Sequence, residues 1–254
     1  MTDRSGPRRL VWQTAELVDA RRETGTGRTL VFRGPVWTGY SAGQHVDVRL
    51  TTEGGYSTQR SYSIASVDGP NCFELTVQRV PGGEVSPYFV QEMDIGDQIE
   101  VRGPIGGWFA WHPGTPDPVL LIGGGSGVVP LMAMIRDWDR AGRRVPFRLV
   151  YSARSAEDIL HREELADRSS FGDRLTVDQI YTRSTPLGYG RPPSRIGPID
   201  LADLSWAEGA MPRCYVCGPN GFVESASQRL LALGHAPAMI RTERFGPTGE
   251  SRDS

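Results

Sequence analysis

Val119-Leu120-Leu121-Ile122-Gly123-Gly124-Gly125-Ser126-Gly127 is an apolar run that ends in glycines. A short apolar run closed by glycine reads as a buried strand, and the next segment, Val129 to Arg140, carries apolar residues at 131, 134, 135 and 138, which is helical spacing. Strand, glycine turn and helix in this order are the first unit of an α/β layer. Glycines there let the backbone turn sharply and approach a diphosphate, while the helix start offers free N–H groups and the positive end of a dipole. The run is not the G-x-G-x-x-G fingerprint, because position 128 is Val, and no Gly-Lys-Ser/Thr follows as a P-loop requires. Taken alone, the glycine run is a weak signal, and a plain tight strand-to-helix turn is the lesser alternative.

Downstream the alternation continues. Strand Phe147–Tyr151, helix Glu157–Ala166, strand Arg174–Tyr181, strand Cys214–Cys217, helix Phe222–Leu233 and a last strand near Met239–Arg241 follow in turn. Strands alternating with helices predict a parallel sheet covered on both faces. Cys217-Gly218-Pro219-Asn220-Gly221 ends a later strand of that sheet. Ligands of open α/β sheets bind outside the carboxyl ends of the strands, so this loop and Gly123–Gly127 should face one crevice. A thiol and two small residues there leave room for a planar ring, although by itself the segment reads more readily as a buried Cys before a Gly-Pro turn.

Upstream, His112-Pro-Gly-Thr-Pro-Asp-Pro118 continues neither strand nor helix and marks a domain boundary, giving units 1–112 and 113–254. The first unit reads as short β runs: Leu10–Val18, Thr29–Phe32, His45–Thr51, Arg60–Ser66, Phe73–Val80 and Gln98–Arg102. Six such strands predict a closed antiparallel barrel, with one helical piece from Ser86 to Met93. Within Arg60-Ser61-Tyr62-Ser63-Ile64-Ala65-Ser66, Arg60 and Tyr62 share one strand face. A guanidinium can hold a pyrophosphate through its planar fork, and a tyrosine ring can pack on a flat cofactor. Gly82-Gly83-Glu84-Val85-Ser86 opens the helical piece and could lend backbone amides to a pyrophosphate, while Gly103-Pro104-Ile105-Gly106-Gly107-Trp108-Phe109 closes the last barrel strand.

Bulk properties narrow the function classes. The chain has 254 residues, enough for two modest domains, and a net charge of −2 from 28 basic and 30 acidic residues, which disfavours nucleic acid or an anionic membrane as partner. No apolar run approaches the roughly 20 residues that span a bilayer, and Met1–Arg9 is polar, so a cytoplasmic location is expected. The three cysteines, Cys72, Cys214 and Cys217, are one short of an iron–sulfur ligand set. Cys214 and Cys217 have the spacing of a redox dithiol, but in a strand they face opposite ways. His45, His112, His161 and His235 lack ligand spacing, so no metal is expected.

In this order, the segments Arg60-x-Tyr62-Ser63-x-x-Ser66, Gly82-Gly83-x-x-Ser86, Gly103-x-x-Gly106, Gly123-Gly-Gly-Ser-Gly127, Cys217-Gly-Pro219 and Glu243-Arg-Phe245 resemble the ferredoxin–NADP reductase family over Arg9 to Gly246. That resemblance implies an FAD-binding barrel, an NAD(P)-binding α/β domain and electron flow from NADPH (or NADH) through FAD to a separate acceptor, such as ferredoxin or an oxygenase or metalloenzyme component. It implies that Arg60, with Gly82, Gly83, Val85 and Ser86, holds the FAD pyrophosphate, that Tyr62 packs on the flavin, that Ser63 bonds near its N5 and that Ser66 completes the motif. The nicotinamide cofactor would cross Gly123, Gly125, Ser126 and Gly127, with its ring near Cys217, Gly218 and Pro219. Glu243 resembles the family's C-terminal acid and Phe245 its flavin cover, here followed by Gly246–Ser254. A 2′-phosphate would be met by arginines, of which Arg183 is the strongest candidate beside Arg154, Arg191 and Arg195. In a regular strand Ser63 points away from Arg60 and Tyr62, so a local bend is expected there. A free-flavin or quinone reductase and a non-catalytic flavin electron-transfer or sensor subunit remain the alternatives.

Overall fold

A computed structural model describes residues 10–246, except 36, 38, 52, 53, 70, 171–173 and 203–210. The ends that the sequence expects to fray, Met1–Arg9 and residues 247–254, lie outside the described residues. Six strands, β1 (Gln13–Arg22), β2 (Gly27–Arg33), β3 (His45–Thr51), β4 (Ser57–Asp68), β5 (Cys72–Gln78) and β6 (Gln98–Ile105), close into an antiparallel barrel in the order β1-β2-β5-β4-β3-β6. Closure removes the exposed edges of a six-stranded sheet. Its interior is filled by alternate residues such as Leu17, Leu30, Phe32, Val46, Val48, Ile64, Phe73 and Leu75. Between β5 and β6 the predicted helical piece is a turn of α-helix, α1 (Val85–Pro87), continued by a π-helical turn at Tyr88–Glu92 whose Phe89 plugs the barrel core.

The second layer is a parallel sheet of β7 (Val119–Gly124), β8 (Phe147–Ala153), β9 (Leu175–Tyr181), β10 (Arg213–Pro219) and β11 (Ile240–Phe245), in the order β11-β10-β7-β8-β9. Every residue of β7 is buried, as expected of the central strand of a sheet covered on both sides. Among the described residues, four helices accompany it: α2 (Val128–Arg140), α3 (Arg162–Ser170), α4 (Pro198–Ala202) and α5 (Asn220–Ala232). Helix α2 is buried from Val128 to Arg136, because it lies between the sheet and the barrel. The apolar core on that side runs through both layers, joining Ala42, Ala65 and Phe109 to Leu121, Met134 and Tyr215.

Two expectations need correction. The sequence predicts one helix over 157–166, but the chain makes a short helical turn at Ala156–Asp158 and starts α3 only at Arg162. The reason is His161, which sits at φ 55° and is fully buried with its ring against Thr76 of the barrel, so the helix cannot run through it. Several strands are also longer than their apolar runs, β4 most of all, because neighbouring strands supply the ladder that polar residues such as Ser57 and Gln59 would not predict. Cys214 and Cys217 face opposite sides of β10 and belong to different core clusters, as strand alternation predicts.

Candidate cofactor-binding and catalytic site

The barrel half of the site is built where β4 passes the start of α1. In the β3–β4 ladder, Arg60 lies opposite Val48, Tyr62 opposite Val46 and Ser63 opposite His45. The Tyr62 ring is 5.4 Å from that of Phe89, which ties the strand to the helical segment. Arg60 is exposed, with Nη2 3.9 Å from Glu84, the residue before α1. The loop that leads there is held by the Val80 N–H, which donates to the Ser86 hydroxyl at 3.0 Å. A Cβ on Gly83 would lie 3.1 Å from the Val80 carbonyl oxygen, so the loop packs tightly around that residue. No side chain caps α1 at Glu84. Arg60, Tyr62, Gly82, Gly83, Val85 and Ser86 are therefore gathered around one short segment.

Ser63 belongs to a second group. The β3–β4 register is unbroken through Ser63, and the bend expected there falls two residues later, where a bulge against β5 takes Ala65 out of register between the pairs Ile64–Leu75 and Ser66–Glu74. Opposite residues of a ladder share a face, so Ser63 stands beside His45 and not with Arg60 and Tyr62. From the second layer, the Glu243 carboxylate reaches within 4.0 Å of His45 Nδ1. Glu243 lies beside Cys217 in the β10–β11 register, and Pro219 lies beside Phe245. Burial alone raises the Glu243 carboxyl to about 7. Burial also lowers His45, against a smaller upward pull from Asp47, so the two are not an ion pair at neutral pH. The Cys217 thiol is pushed well above its ordinary value by burial and by Glu243, which keeps it a thiol. The arrangement is a cluster of a hydroxyl, an imidazole, a carboxyl and a thiol, assembled from both layers.

The other half lies at the carboxyl ends of β7 and β10. Chain order reverses between these neighbours, which makes the gap a topological switch point. Gly125 has φ 55° and its position faces Gln78 at the end of β5, so the loop turns directly against the barrel. Gly127 is needed for space, since a Cβ there would lie 2.2 Å from the Cys217 carbonyl oxygen. No side chain caps α2 at Gly127, the Val128 N–H is taken up by the Gly125 and Ser126 carbonyls, and the missing Cβ atoms let a diphosphate approach the backbone at the positive end of the helix. Beside it is a cavity of about 340 Å³ lined by Ser152, Thr182, Arg195, Pro219, Phe222 and Ser225 among others. The backbones of Arg154 and Arg183 are joined by the Arg183 N–H donating to the Arg154 carbonyl at 2.9 Å, but neither side chain lines this cavity. Arg191 is tied to Asp200.

Ser66 is not brought to either group. It is buried beyond the bulge, with its hydroxyl 3.5 Å from Asp68, in a polar cleft with Glu74, Arg136 and Glu164. His45 was invisible as a site residue, because a lone histidine before a β run carries no signal until Glu243 is folded against it. Among the described residues no group of three or more His, Cys, Asp or Glu side chains is placed to hold a metal, and no helix is long and apolar enough to cross a membrane.

Comparison with known proteins agrees with this geometry. Residues 16–109 match the model of the oxidoreductase FAD-binding domain and residues 121–228 that of the oxidoreductase NAD-binding domain. The chain is 36% identical over 211 residues to ferredoxin–NADP reductase B of Sorangium cellulosum, covering 81% of this chain and 85% of that one. It is 30% identical over 210 residues to the ferredoxin–NAD(P)(+) reductase component of the naphthalene 1,2-dioxygenase/salicylate 5-hydroxylase systems of Ralstonia sp, covering 83% of this chain and 62% of that one. The chain thus spans about three fifths of the length of that oxygenase reductase. The flavohaem-like FAD/NAD-binding domain of nitric oxide dioxygenase from Vibrio cholerae has the same fold, with a TM-score of 0.82 at 24% identity over 92% of this chain and 99% of that domain. With its FAD-binding barrel, its NAD(P)-binding parallel sheet and these relatives, the chain belongs to the ferredoxin–NADP reductase family of flavoprotein oxidoreductases.

Proposed function

We propose that this chain accepts hydride from NADPH, or from NADH, on FAD and passes the electrons to a separate redox protein, a ferredoxin or a metalloenzyme component of an oxygenase. The observation that carries this reading is the meeting of Ser63 and His45 from the barrel with Glu243 and Cys217 from the sheet, His45 and Glu243 being 4.0 Å apart. A relative that is the reductase component of oxygenase systems supports the separate acceptor. The two working units are residues 1–112 and 113–254, divided at the Pro-rich break.

Bound FAD supplies the conversion of a two-electron hydride into single electrons. The protein supplies placement. Arg60 and the backbone from Gly82 to Ser86 would neutralise the FAD pyrophosphate, and Tyr62, braced by Phe89, would back the ring. Gly123, Gly125, Ser126 and Gly127 would cradle the nicotinamide cofactor's diphosphate, with Cys217, Gly218 and Pro219 bounding its ring and Phe245 covering the flavin face. Glu243, raised to about 7, can hold or release a proton near neutral pH, and His45 is a neutral neighbour able to exchange it. Arg195, which lines the cavity beside β8 and β9, is the best-placed cation for a 2′-phosphate, with Arg154 and Arg183 as the other candidates.

Anaerobic mixing of the FAD-loaded protein with NADPH and NADH in turn, followed by ferredoxins and oxygenase components, tests the proposal. Rapid flavin bleaching and reoxidation by a redox protein are expected. No bleaching by either nucleotide, or reoxidation only by free flavin or quinone, would overturn it.

A further inference from the structure

Among the contacts that tie the two halves of the site, one is a buried side chain that lies in neither. Arg136 lies on α2, eight residues after the helix start at Val128 and so about 12 Å along its axis. Its side chain is only 8% exposed. Nη1 donates to the Ala65 carbonyl at 3.0 Å and to Glu74 at 2.9 Å, both in the barrel. Nε and Nη2 grip Glu164 of α3 at 2.9 and 2.6 Å. Glu74 is also held by Arg21, and Glu164 by Arg168, so charges alternate in sign along this line of contacts. Within this chain of contacts Glu164 is held down to about 2 by Arg136 and Arg168, against the upward pull of burial.

Ala65 is the bulged residue of β4, two positions after Ser63 on the strand that carries Arg60 and Tyr62. Helix α2 begins at the Gly123–Gly127 loop, where Gly127 packs on the Cys217 carbonyl. The rest of the contact between α2 and the barrel is an apolar cluster with Ala42, Ala65, Phe109 and Met134, plus Arg140 at the exposed end of the helix, which donates to the Val67 carbonyl at 3.4 Å and to Asp68 at 3.1 Å, a solvent-exposed pair that fixes little. Apolar faces can slide with little loss, because dispersion and burial are not directional. Hydrogen bonds from a planar guanidinium allow only one registration, and a lysine could not make them on two edges at once.

We propose that Arg136 is a positioning residue for hydride transfer: it pins the bulge of the flavin strand to the helix of the nicotinamide loop and so sets the spacing of the two redox groups. This rests on the functional reading above. A displacement on the order of 1 Å at a reacting centre costs roughly a hundredfold in rate, so the pin matters even though it makes no contact with either cofactor.

The test compares FAD-loaded wild type with Arg136→Lys and Arg136→Met. Expected are full FAD content, a KM for NADPH within about twofold of wild type, flavin reduction slowed at least tenfold at saturating NADPH, a larger primary isotope effect with C4-deuterated NADPH and a weaker charge-transfer absorbance when NADP+ is added to the reduced protein. In protein stripped of FAD, amide exchange across residues 60–68 and 123–131 should also quicken. FAD-replete variants that reduce as fast as wild type, with the same isotope effect, overturn the proposal, as does a loss confined to KM. If neither variant holds FAD, Glu74→Gln, which keeps shape and one acceptor, must slow reduction in the same pattern or the proposal falls. Wild type that NADPH and NADH both fail to bleach refutes the functional reading instead.

Discussion

Gly127→Ala is the sharpest probe of the crevice. The new Cβ would lie 2.2 Å from the Cys217 carbonyl oxygen, 2.5 Å from its carbon and 2.8 Å from the Gly218 nitrogen. All three are backbone atoms at the end of β10, so no side chain can rotate away. Relief to an ordinary contact requires the start of α2 and the end of β10 to part by roughly 1 Å, given optimal carbon contacts near 3.5 Å. Overpacking of this kind costs about 1–3 kcal/mol, which for a chain of this size lowers Tm by roughly 2–12 °C. The same shift separates the diphosphate cradle from Cys217, so flavin reduction by NADPH should fall about a hundredfold. The control is Gly124→Ala, whose Cβ has the half-buried Phe222 ring as its nearest neighbour, at 2.9 Å, a side chain and not backbone. Thermal unfolding and anaerobic stopped-flow reduction of FAD-loaded protein give both readouts. A Gly127→Ala protein with wild-type Tm and rate, or a Gly124→Ala protein equally impaired, would refute the steric argument.

Three further outcomes follow from the site. Arg60→Ala removes a charge-assisted contact of about 1.5–3 kcal/mol, so FAD affinity measured by fluorescence titration should drop roughly 10- to 150-fold, and undiminished flavin content would count against Arg60. Arg195→Ala should raise the KM for NADPH more than that for NADH and more than Arg183→Ala does; equal effects on both nucleotides would remove the 2′-phosphate assignment. Because burial raises Glu243 from 4.5 to about 7, the folded state keeps its proton where the unfolded chain has lost it, so stability is full below pH 4.5 and declines as pH rises to 7. Glu243→Gln should therefore gain up to about 3 kcal/mol over wild type at pH 8 and nothing at pH 4, in thermal unfolding followed across pH. A gain that does not vary with pH would sink this.

Much of the fold was legible because its signals are local. The apolar run before Gly123 is β7, the 131/134/135/138 spacing is the buried face of α2, and the Pro-rich break separates the last barrel strand from the first sheet strand. Local signals do not report what distant elements do to a segment. Nothing near His161 in sequence announces that the barrel's Thr76 will hold its ring, which is why the helix predicted over 157–166 starts late. Likewise the bend expected at Ser63 falls at Ala65, because the bulge depends on register with β5.

The sequence by itself determined the barrel, the parallel sheet, the two glycine loops and the cluster of polar residues on Arg60–Ser66, since periodicity and turn chemistry act over a few residues. Only the tertiary structure decided which of those residues meet. It put Ser63 with His45, brought Glu243 against them, moved Ser66 to a polar cleft between the layers and placed Arg195 rather than Arg183 in the cavity wall. The physical reason is that these contacts join residues far apart in the chain, and strand register and the packing of α2 on the barrel set their distances.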